Sequence, residues 1–141
     1  MDIWECIQEG YLRKMEPDTK LVEKEMKEAN YDLKRAKHAL EEKDFKWCIV
    51  KSYYSMFHAA KAVLFSLGLR ERKHFAVQVV LEDLAKKGKL ESIYLDYFSS
   101  AIEWREGADY RYVHSEETAI DVVENAEKFL SKMTDLLKKK V

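Results

Sequence analysis

The sequence predicts an all-α protein: an antiparallel up-and-down helical bundle of five main helices with an extra short N-terminal helix. Three observations carry that expectation. Of 141 residues only one is proline and four are glycine, so few positions can interrupt a helix. Lys, Glu, Leu and Ala, all good helix formers, dominate the chain. Apolar residues recur three and four apart over long stretches, as on one buried helical face. Hydrophobic residues make up 47% and aromatic residues 12%, ample for a single core.

Ile3, Trp4, Ile7, Tyr11, Leu12 and Met15 keep helical spacing, which predicts a short amphipathic helix weakened by Gly10 and ending near Pro17. Residues 1–16 are therefore set apart from a bundle domain over 17–141. Asp18 is the expected N-cap of a second helix, whose apolar positions Val22, Met26, Ala29, Leu33, Ala36 and Leu40 form a seam up to Glu42. At 1.5 Å per residue that helix is a rod of roughly 37 Å. From Phe45 to Leu67 the chain is apolar on almost every side, as expected of the central helix.

Gly68 reads as its stop, followed by a basic loop, Leu69 to His74. Phe75, Val79, Val80 and Leu84 mark a shorter helix that ends at Lys86-Lys87-Gly88. Ile93, Leu95, Tyr97, Phe98, Ala101, Ile102 and Trp104 mark a fifth, with Gly107 as its expected terminator. Ser115 should cap the last helix, Glu116 and Glu117 lying in its first turn and Ala119, Val122, Ala126, Phe129, Met133 and Leu136 on its buried stripe. Lys138, Lys139 and Lys140 complement the negative end of its dipole. The regular seams of the second and last helices suit intramolecular packing or a dimer contact.

A net charge of −1, from 25 basic and 26 acidic residues, provides no global field toward nucleic acid or an anionic membrane. Binding of either kind has to be local. Cys6 and Cys48 lack metal-ligand spacing, and neither a signal peptide nor an apolar run of about 20 residues is present, so a reduced cytoplasmic setting without membrane contact is expected. His38, His58, His74 and His114 are not paired at metal-binding spacing. With no phosphate loop, nucleophile elbow or repeated Glu-x-x-His, neither metal nor cofactor is expected.

Three groupings carry chemistry. Ser52 to Lys61 lies in the central helix and reads first as core, with Tyr54 or His58 as the residue that lines a cleft. Arg70 to His74, with Lys86, Lys87 and Lys89, reads as solvated charge or as local phosphate contacts. The segment Glu103 to His114 holds Arg105, Asp109, Tyr110, Arg111, Tyr112 and His114 just before the amide-rich start of the last helix. An arginine fork and a helix N-terminus both favour phosphate. The alternative is that Arg105 pairs with Asp109, Glu103 or Glu106 and the tyrosines only pack.

On these residues the chain resembles the small prokaryotic single-domain branch of the HEPN superfamily, the higher eukaryotes and prokaryotes nucleotide-binding domains. The resemblance rests on Ser52-Tyr53-Tyr54-Ser55-Met56-Phe57-His58-Ala59-Ala60-Lys61-Ala62, on Lys73-His74, on Arg105 followed by Ala108-Asp109-Tyr110, and on Ala126 and Phe129. It covers roughly Lys24 to Leu137. It implies a helical bundle that forms a homodimer and, in many members, a metal-independent endoribonuclease using an arginine and a histidine with four to six residues between them. In a toxin subgroup a tyrosine two residues beyond that histidine is adenylylated by a partner, a minimal nucleotidyltransferase.

Carried onto this chain, the resemblance assigns the arginine to Arg105 and the tyrosine to Tyr112, the modification candidate, with Tyr110 second. Tyr110 stands in the histidine slot, and His114 comes later. A phenol, ionising near about 10, is a poorer base at neutral pH than an imidazole near about 6.5. The departure favours a nucleotide- or RNA-phosphate-binding module that works with a nucleotidyltransferase, with Arg105, Tyr110, Arg111, Lys73 and His74 as binding residues. The alternatives are a ribonuclease that uses Arg105 with His114 or His74 as catalytic residues, and a structural helical adaptor.

Overall fold

Side-chain caps start most of the helices. Asp2, Asp18, Asp44 and Ser115 each accept from backbone N–H groups of the first turn that follows, satisfying donors that have no intrahelical acceptor. In the computed structural model, which describes residues 1–139, the order is α1 (Ile3–Gln8), β1 (Leu12–Lys14), α2 (Thr19–Glu41), α3 (Phe45–Ser66), β2 (Leu69–Glu71), α4 (Phe75–Lys86), α5 (Ser92–Tyr110) and α6 (Glu116–Lys138). The protein is thus an all-α bundle with one very small sheet. Lys138 and Lys139 close α6 as expected, whereas Lys140 lies outside the described residues.

α3 runs through the middle and packs on α2, α5 and α6. Between Cys48 and Phe65 every position is buried except Lys51, Tyr54, His58 and Lys61. Close packing is helped by small residues: Ala29 of α2 and Ala59 and Ala60 of α3 are fully buried, and the Ser55 hydroxyl donates to the Ala29 carbonyl at 2.8 Å. On the other side Ala119, Val122, Ala126, Phe129 and Met133 of α6 are fully buried, so the seam read in the last helix serves this chain's own core. Burial raises the Cys48 thiol pKa to about 11, which leaves it inert at neutral pH.

The first helix is shorter than its periodicity predicts. Gly10 adopts φ 78°, and the N–H groups of Gly10 and Tyr11 turn back to Ile7 and Cys6, which closes α1 near Gln8 instead of near Pro17. Leu12–Lys14 then forms a strand paired antiparallel with β2, with Arg13 opposite Arg70, so the expected basic loop is strand over Leu69–Glu71. Backbone pairing outweighs a weak helical signal here, because the alternate residues Leu12 and Leu69 still reach the core. Cys6 and Leu12 are both buried in the main core, so α1 and β1 pack against the bundle.

Gly68 makes this junction possible. It has φ 74°, and a Cβ there would lie 2.7 Å from the Met15 carbonyl oxygen, while its own carbonyl accepts from Met15 N–H at 2.9 Å. Gly68→Ala should cost about 2–4 kcal/mol, combining a left-handed backbone with a clash. Gly88 has the same φ and open space around it, so Gly88→Ala should cost only the backbone part, about 1–2 kcal/mol. Chemical denaturation of the two variants side by side checks the difference.

Candidate functional site

Gly107 does not end α5. It keeps helical geometry, and the helix continues three residues to Tyr110 because Ala108 is fully buried and Arg105 pairs with Asp109 one turn on. Glycine inside a helix costs about 1 kcal/mol relative to alanine, which that burial offsets. Arg105 therefore sits inside a helix, with its side chain directed by α5 onto α3.

There the guanidinium is caged. Its carbon lies 5.4 Å from the Tyr53 ring centre, 5.5 Å from that of Tyr54 and 5.8 Å from that of Tyr110. Nε donates to Asp109 Oδ2 at 3.1 Å and Nη2 to the Tyr54 hydroxyl at 3.3 Å. Burial works against the charge, but the three tyrosines and Asp109 outweigh it and hold the Arg105 pKa above its ordinary value. Burial in turn pushes the Tyr53 phenol up, with Arg105 opposing. Tyr53 packs on Phe57 and Phe98, and Phe98 stacks on Phe129, so the floor of the cage is continuous with the core.

The arginine is oriented without being used up. Of five N–H donors, two are engaged, and Nη1 has no partner among the described residues. The side chain keeps 23% of its surface exposed. A fixed, partly desolvated planar cation with free donors at the surface is suited to a phosphate. The pairing of Arg105 with Asp109 and the phosphate reading thus coexist, since the carboxylate aims the fork.

Beyond Tyr110 the chain folds back, with Val113 N–H donating to the Gly107 carbonyl at 2.9 Å. Residues 110–117 are all exposed, Tyr112 with φ 56° and 78% exposure. Arg111 shares a cleft of about 250 Å³ with Trp104, Gly107 and Thr118, on the neighbouring face of α5. The start of α6 therefore faces Arg111, where the sequence suggested Arg105. His114 is exposed and makes no hydrogen bond or ion pair with Arg105. Lys73 and His74 lie at the start of α4, their position set by Tyr11, whose carbonyl accepts from the N–H groups of Arg72 and Lys73. The His74 ring packs 5.0 Å from Phe57, one helical turn along α3 from Tyr53.

An ion network along α3 escaped the sequence reading. His58 Nδ1 lies 2.6 Å from Glu25 Oε2 and Nε2 lies 3.7 Å from Asp32, while Lys51 reaches Asp32, and Lys61 reaches Glu25 and Glu71. Burial raises the Asp32 carboxyl pKa despite Lys51 and His58. Burial also acts upward on Glu25, but His58 and Lys61 overcome it and bring that carboxyl below its ordinary range. Both imidazole nitrogens face carboxylates, so His58 fastens α3 to α2. The only signal in the sequence was Glu25 and Asp32 seven apart, beside the apolar seam of α2.

Among the described residues no group of three or more His, Cys, Asp or Glu is arranged to hold a metal, and no helix is long and apolar enough to cross a membrane. A surface groove of about 510 Å³ runs along α6 beside Tyr94, and Arg105 is not among its lining residues. There the Lys132 amine is already paired with Glu91 at 2.8 Å.

A family model described as the HEPN domain matches residues 22–137, which leaves α1 and β1 outside it. "Putative toxin MJ0605" of Methanocaldococcus jannaschii is 30% identical over 112 residues, covering 78% of this chain and 84% of that protein. "Putative toxin MJ0142" of the same organism is 28% identical over 101 residues, 71% of this chain and 64% of that protein. "UPF0332 protein PH1297" of Pyrococcus horikoshii is 37% identical over 79 residues, 55% of this chain and 56% of that protein.

Proposed function

This chain belongs to the HEPN domain family, and from that premise we propose that it is a nucleotide- or RNA-phosphate-binding module with Arg105 as the phosphate receptor. It works as the HEPN component of a toxin–antitoxin-like pair whose other member is a minimal nucleotidyltransferase, and it acts in the cytoplasm as a homodimer. The caged guanidinium carries the reading: a cation oriented by Asp109 and Tyr54, stacked among tyrosines and still bearing free donors. The toxin names of two relatives support the pairing.

Tyr112 is the modification site in this proposal. It is exposed on a backbone turn outside the helices, where a transferase can reach the phenol without unfolding the bundle. The phenol oxygen would take the adenylyl group of ATP, with pyrophosphate leaving. Hydrolysis is the weaker reading, because no imidazole hydrogen-bonds into the cage and His114 is not joined to it.

The test is co-expression with the neighbouring reading frames, intact-mass measurement and titration of the purified protein with a short 5′-phosphorylated RNA. A mass gain of one adenylyl group is expected, lost in Tyr112→Phe and kept in Tyr110→Phe. No mass gain together with no RNA binding would sink the proposal.

A further inference from the structure

The only open stripe on α3 continues toward its N-terminus from the Arg105 cage. Trp47, Lys51, Tyr54, His58 and Lys61 follow one another four and three apart, and Tyr54 is the residue bonded to Arg105. At the far end Trp47 is 48% exposed and lines a cleft of about 380 Å³ with Arg35, His38 and Lys51. The two acids there are already occupied: Glu42 lies 2.6 Å from His38, and Asp44 accepts from the Trp47 N–H. Lys51 keeps only a long contact to Asp32, 3.8 Å, while Arg35 has no hydrogen bond or ion pair among the described residues. Lys46 lies 5.8 Å from the centre of the indole ring.

Resting on the phosphate reading of Arg105, we infer that the Trp47 cleft is a second subsite for single-stranded RNA, in which the indole stacks a base and Arg35 and Lys51 take the adjoining phosphate. An exposed indole fits any base face, and cations beside it fit the backbone, a combination that binds single strands without reading sequence. Seven residues at 1.5 Å separate Trp47 from Tyr54, about 10 Å along the helix. Neighbouring nucleotides of one strand span such a distance, so one RNA can occupy both sites.

Anisotropy titrations with a 5′-phosphorylated tetrauridylate and with uridine monophosphate test this. Trp47→Ala should weaken the tetranucleotide about ten- to a hundredfold and leave the mononucleotide unchanged, with Trp47→Phe near wild type. Arg35→Gln with Lys51→Gln should also weaken the tetranucleotide and flatten its dependence on salt. Unchanged tetranucleotide affinity in Trp47→Ala, while Arg105→Ala still weakens it, overturns the second subsite alone. So does a dimer that dissociates in Trp47→Ala with RNA affinity intact, which would make the cleft a contact between copies. If Arg105→Ala also has no effect, the phosphate reading itself fails.

Discussion

Arg105→Ala is expected to weaken binding of a 5′-phosphorylated RNA about ten- to a hundredfold, the loss of one or two charge-assisted hydrogen bonds at about 1.5–3 kcal/mol. Arg105→Lys should recover only part of that affinity, because an ammonium keeps the charge but gives up the planar fork that stacks among Tyr53, Tyr54 and Tyr110. The fold should survive both changes, since a part-exposed ion pair such as Arg105 with Asp109 contributes about 0–1 kcal/mol. Titration beside a circular dichroism melt separates the two effects. Wild-type affinity in the folded alanine variant would show that the phosphate is bound elsewhere.

Phe129→Ala should produce the largest loss of stability, about 3–5 kcal/mol. Its ring is fully buried in α6 and stacks on Phe98 at 5.6 Å, and Phe98 supports Tyr53 beneath the guanidinium. Denaturant unfolding should show a fall in midpoint, with the melting temperature down by about 10–15 °C. RNA affinity measured below the new transition should also drop, since the floor of the cage loosens. A loss under 1 kcal/mol would contradict the packing described for this junction.

The bundle was legible because helices announce themselves locally. Asp18 and Ser115 act as the caps their positions predict, and the stripe from Ala119 to Leu136 is buried as its spacing requires. Misreadings fell where a local pattern competed with long-range pairing. Leu12 keeps helical spacing with Trp4 and Met15, yet β1 forms because β2 lies opposite it, a partner some 57 residues away that no short window contains. Gly107 resembles Gly68 and Gly88 in sequence but keeps helical geometry, since burial of Ala108 and the Asp109 pair favour another turn. That turn moves Arg105 from a helix end to a helix interior.

The site divides in the same way. The sequence by itself determined the fold class, the central helix, the family and the prominence of Arg105 with its neighbouring tyrosines, because these depend on residue type and on spacing along one chain. Only the tertiary structure decided that Tyr53 and Tyr54 of α3 cage that arginine, that Arg111 and not Arg105 faces the start of α6, and that His58 is tied to Glu25 and Asp32. Charges and aromatic faces choose partners by distance in space, and the crossing of α3 with α2 and α5 sets those distances.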